Sequence, residues 1–337
     1  MAMTTTMTTA ATATMRAAVR ERYCGPGEVR TERVARPVPG PGEVLVRVRA
    51  AGLDQGVWHL LTGLPYPVRL AGYGLFRPKT PVLGRDLAGI VDAVGAGVTR
   101  FRPGDEVFGA CDGSFAEYAR GGEDAFAPKP ANLTFEQAAA VPTSACAALH
   151  GLRDAGGVRA GQKALVTGAG GGVGGFAVQL ARSFGAHVTG VCRGTKADLV
   201  RSLGAQDVID HTREDVTDRP HRYDLILDTA GNRPLSLLRR ALTPTGTLVI
   251  VGGVRKGRWL QGSDRQVRAM LLSRFTRQTL RGLMSAGRAE DLRFLTGLIE
   301  AGEVTPVIDR AYPLDRLPEA LEYLRAGHAT GKVVILP

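Results

Sequence analysis

The residues best placed to do chemistry lie in one run, Thr167-Gly168-Ala169-Gly170-Gly171-Gly172-Val173-Gly174-Gly175. Glycines without side chains let a phosphate approach the backbone N–H groups and let a helix pack closely on a strand. The spacing reads in two registers, Ala169-x-Gly171-x-x-Gly174 or Gly170-x-Gly172-x-x-Gly175. Alone, such a run in a chain of 44 glycines is a common surface loop. Its surroundings decide otherwise. An apolar strand at 164–167 leads in, and a helix follows with apolar Val173, Phe176, Ala177, Leu180 and Ala181. A second strand then covers His187–Cys192. This is the βαβ unit that holds a dinucleotide pyrophosphate on a helix N-terminus, with Gly171, Gly172, Val173 and Gly174 at the phosphates.

The second strand's end chooses between dinucleotides. An acidic residue there takes the ribose 2′-OH, whereas cations take a 2′-phosphate. Here Cys192-Arg193-Gly194-Thr195-Lys196 offers no carboxylate before Asp198. Arg193 supplies a guanidinium and Lys196 a point charge, so NADPH is expected over NADH. Two later strand ends, Asp228-Thr229-Ala230-Gly231 and Val251-Gly252-Gly253, should border the cofactor. Asp228 reads as a strand-terminating group rather than a catalyst.

These residues need a scaffold, and 337 residues suffice for two domains. The N-terminal part is β-rich, with strands expected at Arg16–Arg20, Val44–Ala50, Leu87–Val94, Glu106–Phe108, Gly113–Ala119 and Ala125–Pro128. The texture changes at Thr134, where Thr134 and Gln137 form a capping-box pattern ahead of an alanine-rich helix. Pro142 should interrupt that helix, a second one covering Cys146–Asp154. From Lys163 strands and helices alternate, which implies a doubly wound parallel sheet with a last strand at Thr279–Ser285. A helix at Glu290–Ala301, a segment at Thr305–Ala311, a helix at Leu317–Arg325 and a strand at Lys332–Leu336 do not extend that sheet. The final strand should return to the N-terminal domain.

Composition narrows the classes further. No apolar run is long enough to span a bilayer. The opening fifteen residues have no positive n-region and no continuous apolar stretch, so they read as a disordered tail rather than a secretory signal, with Met15 a candidate start. Four scattered cysteines (Cys24, Cys111, Cys146, Cys192) form no CxxC pair, which suggests free thiols in the reducing cytoplasm. The net charge of +11 is concentrated between Arg255 and Arg288, but few aromatics interleave with it. A solvated basic face is expected there, not a nucleic-acid groove.

The chain resembles the medium-chain dehydrogenase/reductase superfamily from Met15 to Pro337. The resemblance rests on Pro103-Gly104-Asp105-Glu106-Val107-Phe108-Gly109, Gly113-Ser114-Phe115-Ala116-Glu117-Tyr118-Ala119, the glycine run, and Gly331-Lys332-Val333-Val334-Ile335. It implies an α/β fold in which a doubly wound parallel Rossmann sheet is inserted in a GroES-like β-rich domain. The expected division is a tail at 1–15, a GroES-like domain at 16–135, a Rossmann domain at 136–288 and a C-terminal return at 289–337. Gly161 to Arg182 also resembles the quinone-oxidoreductase signature, with Gly170 where that pattern has Ser or Ala.

Zinc-dependent members carry Cys and His at places that here read Asp54 and Arg85, and the four-cysteine structural lobe is missing. Neither residue supplies the soft or imidazole ligand that zinc favours, so no metal is expected. Without a Lewis acid, a conjugated carbonyl is the easier hydride acceptor, because it spreads the developing charge itself. The resemblance therefore implies zinc-independent hydride transfer from NADPH to a quinone or an α,β-unsaturated carbonyl. Asp54, His59 and Tyr66 are the catalytic candidates. The resemblance also places Thr143 near the nicotinamide, His328 and Lys332 where the returning chain passes the cofactor, and His211 near the 2′-phosphate. It implies a homodimer formed through the edge of the nucleotide sheet. An enoyl-thioester reductase and a zeta-crystallin-like nucleic-acid-binding or structural protein are the alternatives.

Overall fold

A computed structural model describes residues 13–218, 222–252, 259 and 263–337. The chain begins with a hairpin-like pair, β1 (Thr14–Val19) antiparallel to β2 (Arg30–Ala35). Met15 is buried in β1, so the tail expected over 1–15 ends earlier, and its first twelve residues lie outside the described ones. Strand β3 (Glu43–Leu53) is the spine of the β-rich domain. Helices α1 (Gln55–Thr62) and α2 (Tyr66–Val68) follow, then β4 (Asp86–Val94), β5 (Glu106–Ala110), β6 (Tyr118–Gly122) and β7 (Phe126–Pro128). The strand expected at Gly113–Ala119 starts only at Tyr118, because Gly113 sits at φ +83° in a turn. The close β3–β4 pairing depends on Gly89, where a Cβ would lie 2.2 Å from the Arg47 carbonyl.

Thr134 caps α3 (Phe135–Ala139) with the reciprocal Gln137 bond expected of a capping box. Pro142 does not interrupt a helix but begins one. It takes the first turn of α4 (Pro142–Leu149), where its missing N–H costs nothing. The chain then runs β8 (Lys163–Thr167), α5 (Gly172–Ser183), β9 (His187–Cys192), α6 (Ala197–Ser202), β10 (Asp207–Asp210), β11 (Tyr223–Asp228), α7 (Leu235–Ala241), β12 (Leu242–Ile250), α8 (Ser263–Ser273) and β13 (Thr279–Gly282). These strands form a six-stranded parallel sheet in the order β10-β9-β8-β11-β12-β13. The order reverses between β8 and β11, the switch point where such sheets open a crevice. Phe176, Ala177, Leu180 and Ala181 of α5 are buried against the sheet, while Val173 is left at the crevice.

Helix α9 (Ala289–Glu300), strand β14 (Ile308–Pro313), helix α10 (Leu317–Arg325) and strand β15 (Lys332–Leu336) complete the chain. Strand β15 joins β3 antiparallel and β14 parallel, which closes the N-terminal sheet with the last residues of the sequence. One core cluster holds Ala50, Phe108, Leu149, Val166, Leu180 and Val334, so both domains share buried apolar surface.

Candidate active site

Strand β8 ends at Thr167, and the chain reverses at Gly168, which has φ +66°. Gly171 then stands at the N-cap of α5 with no side chain to satisfy the first-turn N–H groups. An uncapped start on a 12-residue helix is a ready anion site. A Cβ on Gly174 would fall 2.1 Å from the Gly168 carbonyl, whereas one on Gly175 would come no nearer than 3.4 Å to Leu203. The geometry therefore selects the register ending at Gly174, with Gly168 making the tight turn.

The returning chain closes over this loop. Gly331 bridges to Gly171, and the buried Lys332 donates from Nζ to Ser144 Oγ at 2.9 Å. Between them lies a cleft of about 310 Å³ lined by Thr143, Gly171, Gly172, Val173, Gly174 and Lys332, with Asp54 at its far wall. A Cβ on Gly172 would come within 3.0 Å of the Lys332 stem. Thr143 is turned inward: its hydroxyl donates to Asp86 Oδ1 at 2.5 Å and its N–H to Oδ2 at 3.1 Å. Burial and the nearby Asp54 push the Asp86 carboxyl up to about 7, against the opposing pull of Lys332 and Thr143. Sequence reasoning gave Asp86 no role.

Beyond the glycines a smaller cleft, about 170 Å³, is lined by Arg193, Lys196, His211, Asn232 and Arg233. Lys196 lines this cleft, its ammonium donating to the Ala329 carbonyl at 2.6 Å, and burial lowers its pKa. Arg193 is exposed to solvent at the rim. Arg233, missed in the sequence, lies at the cleft with a buried Nε that has no partner. His328 is exposed, while its neighbours Gly327 and Ala329 line the cleft. Gly252 packs against Thr229, where a Cβ would meet the carbonyl at 2.3 Å; Gly253 lies outside the described residues. Asp228 is a tie within the sheet, accepting from Thr167 Oγ1 at 2.6 Å and paired with Arg265.

Asp54 separates the cofactor cleft from another of about 380 Å³. It caps α1, Oδ1 accepting from Gly56 N at 2.6 Å and Val57 N at 3.3 Å. Its Oδ2 is buried without a partner. His59 lines the second cleft and donates from Nδ1 to the Leu64 carbonyl at 2.6 Å. Tyr66 does not line it. Its ring packs edge-on against Trp259, centroids 5.2 Å apart, because α2 turns it away. Tyr73 is the cleft tyrosine, its Oη accepting from Arg85 Nη1 at 3.1 Å. Burial works to lower the Arg85 pKa, but Tyr73, Asp112, Asp86 and Asp54 together raise it, so the cation is secure. Cys146 also faces the cleft, and burial pushes its thiol up to about 12, which leaves it unreactive near neutral pH. In the same cleft Ser285 contacts His150, two residues 135 positions apart with no motif between them. Among the described residues no three His, Cys, Asp or Glu side chains gather to hold a metal.

Comparison with known proteins agrees with this architecture. An alcohol dehydrogenase GroES-like domain model matches residues 40–151, and a zinc-binding dehydrogenase model matches residues 203–335. A chloroplast envelope quinone oxidoreductase homolog of Arabidopsis thaliana is 32% identical over 330 residues, covering 93% of this chain and 96% of its own. The 2-methylene-furan-3-one reductase of Solanum lycopersicum is 34% identical, covering 90% and 74% respectively. The solved quinone oxidoreductase of Coxiella burnetii superposes with a TM-score of 0.81 at 25% identity, covering 96% of this chain and 100% of that one.

The chain belongs to the medium-chain dehydrogenase/reductase superfamily, in its quinone-oxidoreductase-like branch. It is a nicotinamide-dependent oxidoreductase. Within this superfamily member the dinucleotide fits the residues present. The uncapped α5, the glycine run, and Asp54 with its unpartnered buried oxygen all border one crevice. Gly171 to Gly174 would hold the pyrophosphate, and Asp54 and Lys332 would flank the nicotinamide end. No described helix of this reductase-like chain is long and apolar enough to cross a membrane.

Proposed function

We propose that this protein is an NADPH-dependent, zinc-independent reductase of quinones or α,β-unsaturated carbonyls. The observation that carries the reading is the shared wall at Asp54, where the cofactor cleft meets the cleft lined by Arg85, Tyr73 and His59. When bound, the reduced nicotinamide supplies a hydride at that junction. The Arg85–Tyr73 pair supplies hydrogen-bond donors for an acceptor oxygen as it becomes negative. Arg85 stands where zinc-dependent members place a histidine ligand, and Asp54 where they place a cysteine, which supports catalysis without the metal.

The preference for NADPH is supported by the lack of a carboxylate at the end of β9 and by Arg193 and Arg233 at the adjacent cleft. The protein acts as a homodimer in this proposal. Strand β13 is an edge of the sheet, and Val267, Met270, Leu271 and Phe275 expose an apolar face beside it. Its four free cysteines suit the reducing cytoplasm.

The test is NADPH oxidation against 1,4-benzoquinone, 1,4-naphthoquinone, trans-2-hexenal and a crotonyl thioester, before and after exhaustive chelation. Turnover of a quinone or the alkenal, unchanged by chelator, is expected. Activity abolished by chelator, or confined to the thioester, would overturn the proposal.

A further inference from the structure

The reaction proposed above needs a proton as well as a hydride, and the acceptor cleft contains a group with a proton to give. Ser285 follows β13 and lines the cleft. Its Oγ is 2.7 Å from His150 Nδ1, and the other ring nitrogen is 2.9 Å from Asp291 Oδ2. Burial works to raise the Asp291 pKa, but hydrogen bonds from Arg153 and His150 outweigh it and hold the carboxyl below its usual range. A carboxylate only accepts, so Nε2 carries a hydrogen, and Nδ1 is the nitrogen left to exchange a proton with Ser285.

The other charged groups around the ring come from three elements. Asp154 Oδ2 lies 4.0 Å from Nε2, and Arg153 pairs with both Asp154 and Asp291. Just before α9 the Arg288 backbone N–H also binds Asp291, and from β13 the Arg281 guanidinium binds the Ala155 carbonyl. The Cys146 thiol, one turn back, stays neutral.

We propose that Ser285 is the proton donor to the reduced acceptor and that His150, fixed by Asp291, acts through it; this rests on the reductase reading. The acceptor gains a hydride with its electron pair from the reduced nicotinamide, which is oxidised, and its oxygen is left negative. That oxygen takes the Ser285 hydroxyl proton, forming an O–H bond as the Ser285 O–H bond breaks. Ser285 Oγ takes the Nδ1 proton of the doubly protonated His150 ring in turn, which leaves a neutral imidazole with its Nε2–H still on Asp291. The ring, still donating from Nε2 to Asp291, regains its Nδ1 proton from water reaching the exposed Ser285 once product has left. Arg85 serves a different purpose, because a guanidinium holds an oxyanion but does not give up its proton.

The experiment compares wild type with Ser285→Ala, Ser285→Thr and His150→Gln, using NADPH and 1,4-naphthoquinone in H₂O and D₂O across a pH series. Ser285→Ala should lower kcat about 100-fold, the smaller end of the range for general acid catalysis, with the KM for NADPH within about twofold. Its solvent isotope effect should rise, and Ser285→Thr should restore most of the rate. His150→Gln should flatten the acid-dependent limb of the pH profile. Because His150 also ties α4 to α9, Ser285→Ala is the decisive variant if that protein misfolds. Unchanged kcat and isotope effect in Ser285→Ala would overturn the proposal, as would a Ser285→Thr variant no faster than Ser285→Ala. Both results leave the reductase reading intact. A wild type inactive toward every acceptor overturns both.

Discussion

The two clefts on either side of Asp54 are built in opposite ways. The dinucleotide side is centred on one βαβ unit, in which strand, turn and helix are consecutive and the glycines are fixed by backbone contacts. The acceptor side gathers Asp54, Tyr73, Arg85, Cys146 and Ser285 from five separate segments. The first is tolerant of side-chain identity and intolerant of an added Cβ; the second is the reverse. Binding of the common cofactor is therefore written in the backbone, and the choice of acceptor in side chains from scattered positions.

The largest effect should come from breaking the backbone-built side. Gly174→Ala places a Cβ against the Gly168 carbonyl, where neither backbone can give way. It should cost about 3 kcal/mol of stability, at the upper end of overpacking, and abolish NADPH binding. Thermal melts and calorimetric titration check this, and Gly175→Ala, with an ordinary contact at its Cβ, is the matched control.

Asp54 belongs to both sides and separates their demands. Asp54→Ala should lose about 1 kcal/mol through the missing α1 cap, together with quinone turnover. Asp54→Asn should keep the cap and the melting temperature, so that any change in kcat reports the freed Oδ2 alone. A parallel fall in stability for both variants would break the distinction.

At the far end, Arg233→Ala should raise the KM for NADPH about tenfold and spare NADH, the effect of removing one charge-assisted bond of about 1.4 kcal/mol. Lys196→Ala should weaken both coenzymes alike, because its ammonium holds the returning chain rather than a phosphate. Steady-state kinetics with each coenzyme checks the pair.

Asp86 gives the most conditional signal. Its carboxyl is raised in the fold from 3.8 to about 7, so the folded state binds the proton more tightly than the unfolded chain. Its contribution to stability is complete below pH 3.8 and is lost as the pH rises to about 7. Urea melts of wild type and Asp86→Asn at pH 5 and pH 8 should show wild type losing more stability on that rise. Equal slopes would show that Asp86 is ionised throughout.

What could be read from the sequence follows the same division. The glycine turn, the Thr134 cap, the alternating strands and the return of the last strand depend on local chemistry or on patterns of residues near in sequence. Arg85 was visible as a departure from a zinc ligand, but its bond to Tyr73 was not, since no local pattern ties them. Tyr66 looked the better phenol because it stands in an apolar, proline-flanked run; α2 instead turns it toward Trp259. Lys196 reads as a phosphate ligand in the sequence, but its bond to the Ala329 carbonyl of the returning chain was not visible there. Arg233, His150 and Ser285 carried no signal, because each acquires its role only through contacts with distant segments. Strand β2 was missed because most of its side chains are at least partly exposed, so no buried face alternates along it.

The bridge between Gly331 and Gly171 ties the carboxyl end of the polypeptide to the mouth of the helix that receives the pyrophosphate. The last seven residues are thus a latch between lobes rather than a trailing end. Trimming them, or pulling on them with a bulky fusion, would loosen the grip on coenzyme without touching a single residue of the glycine run.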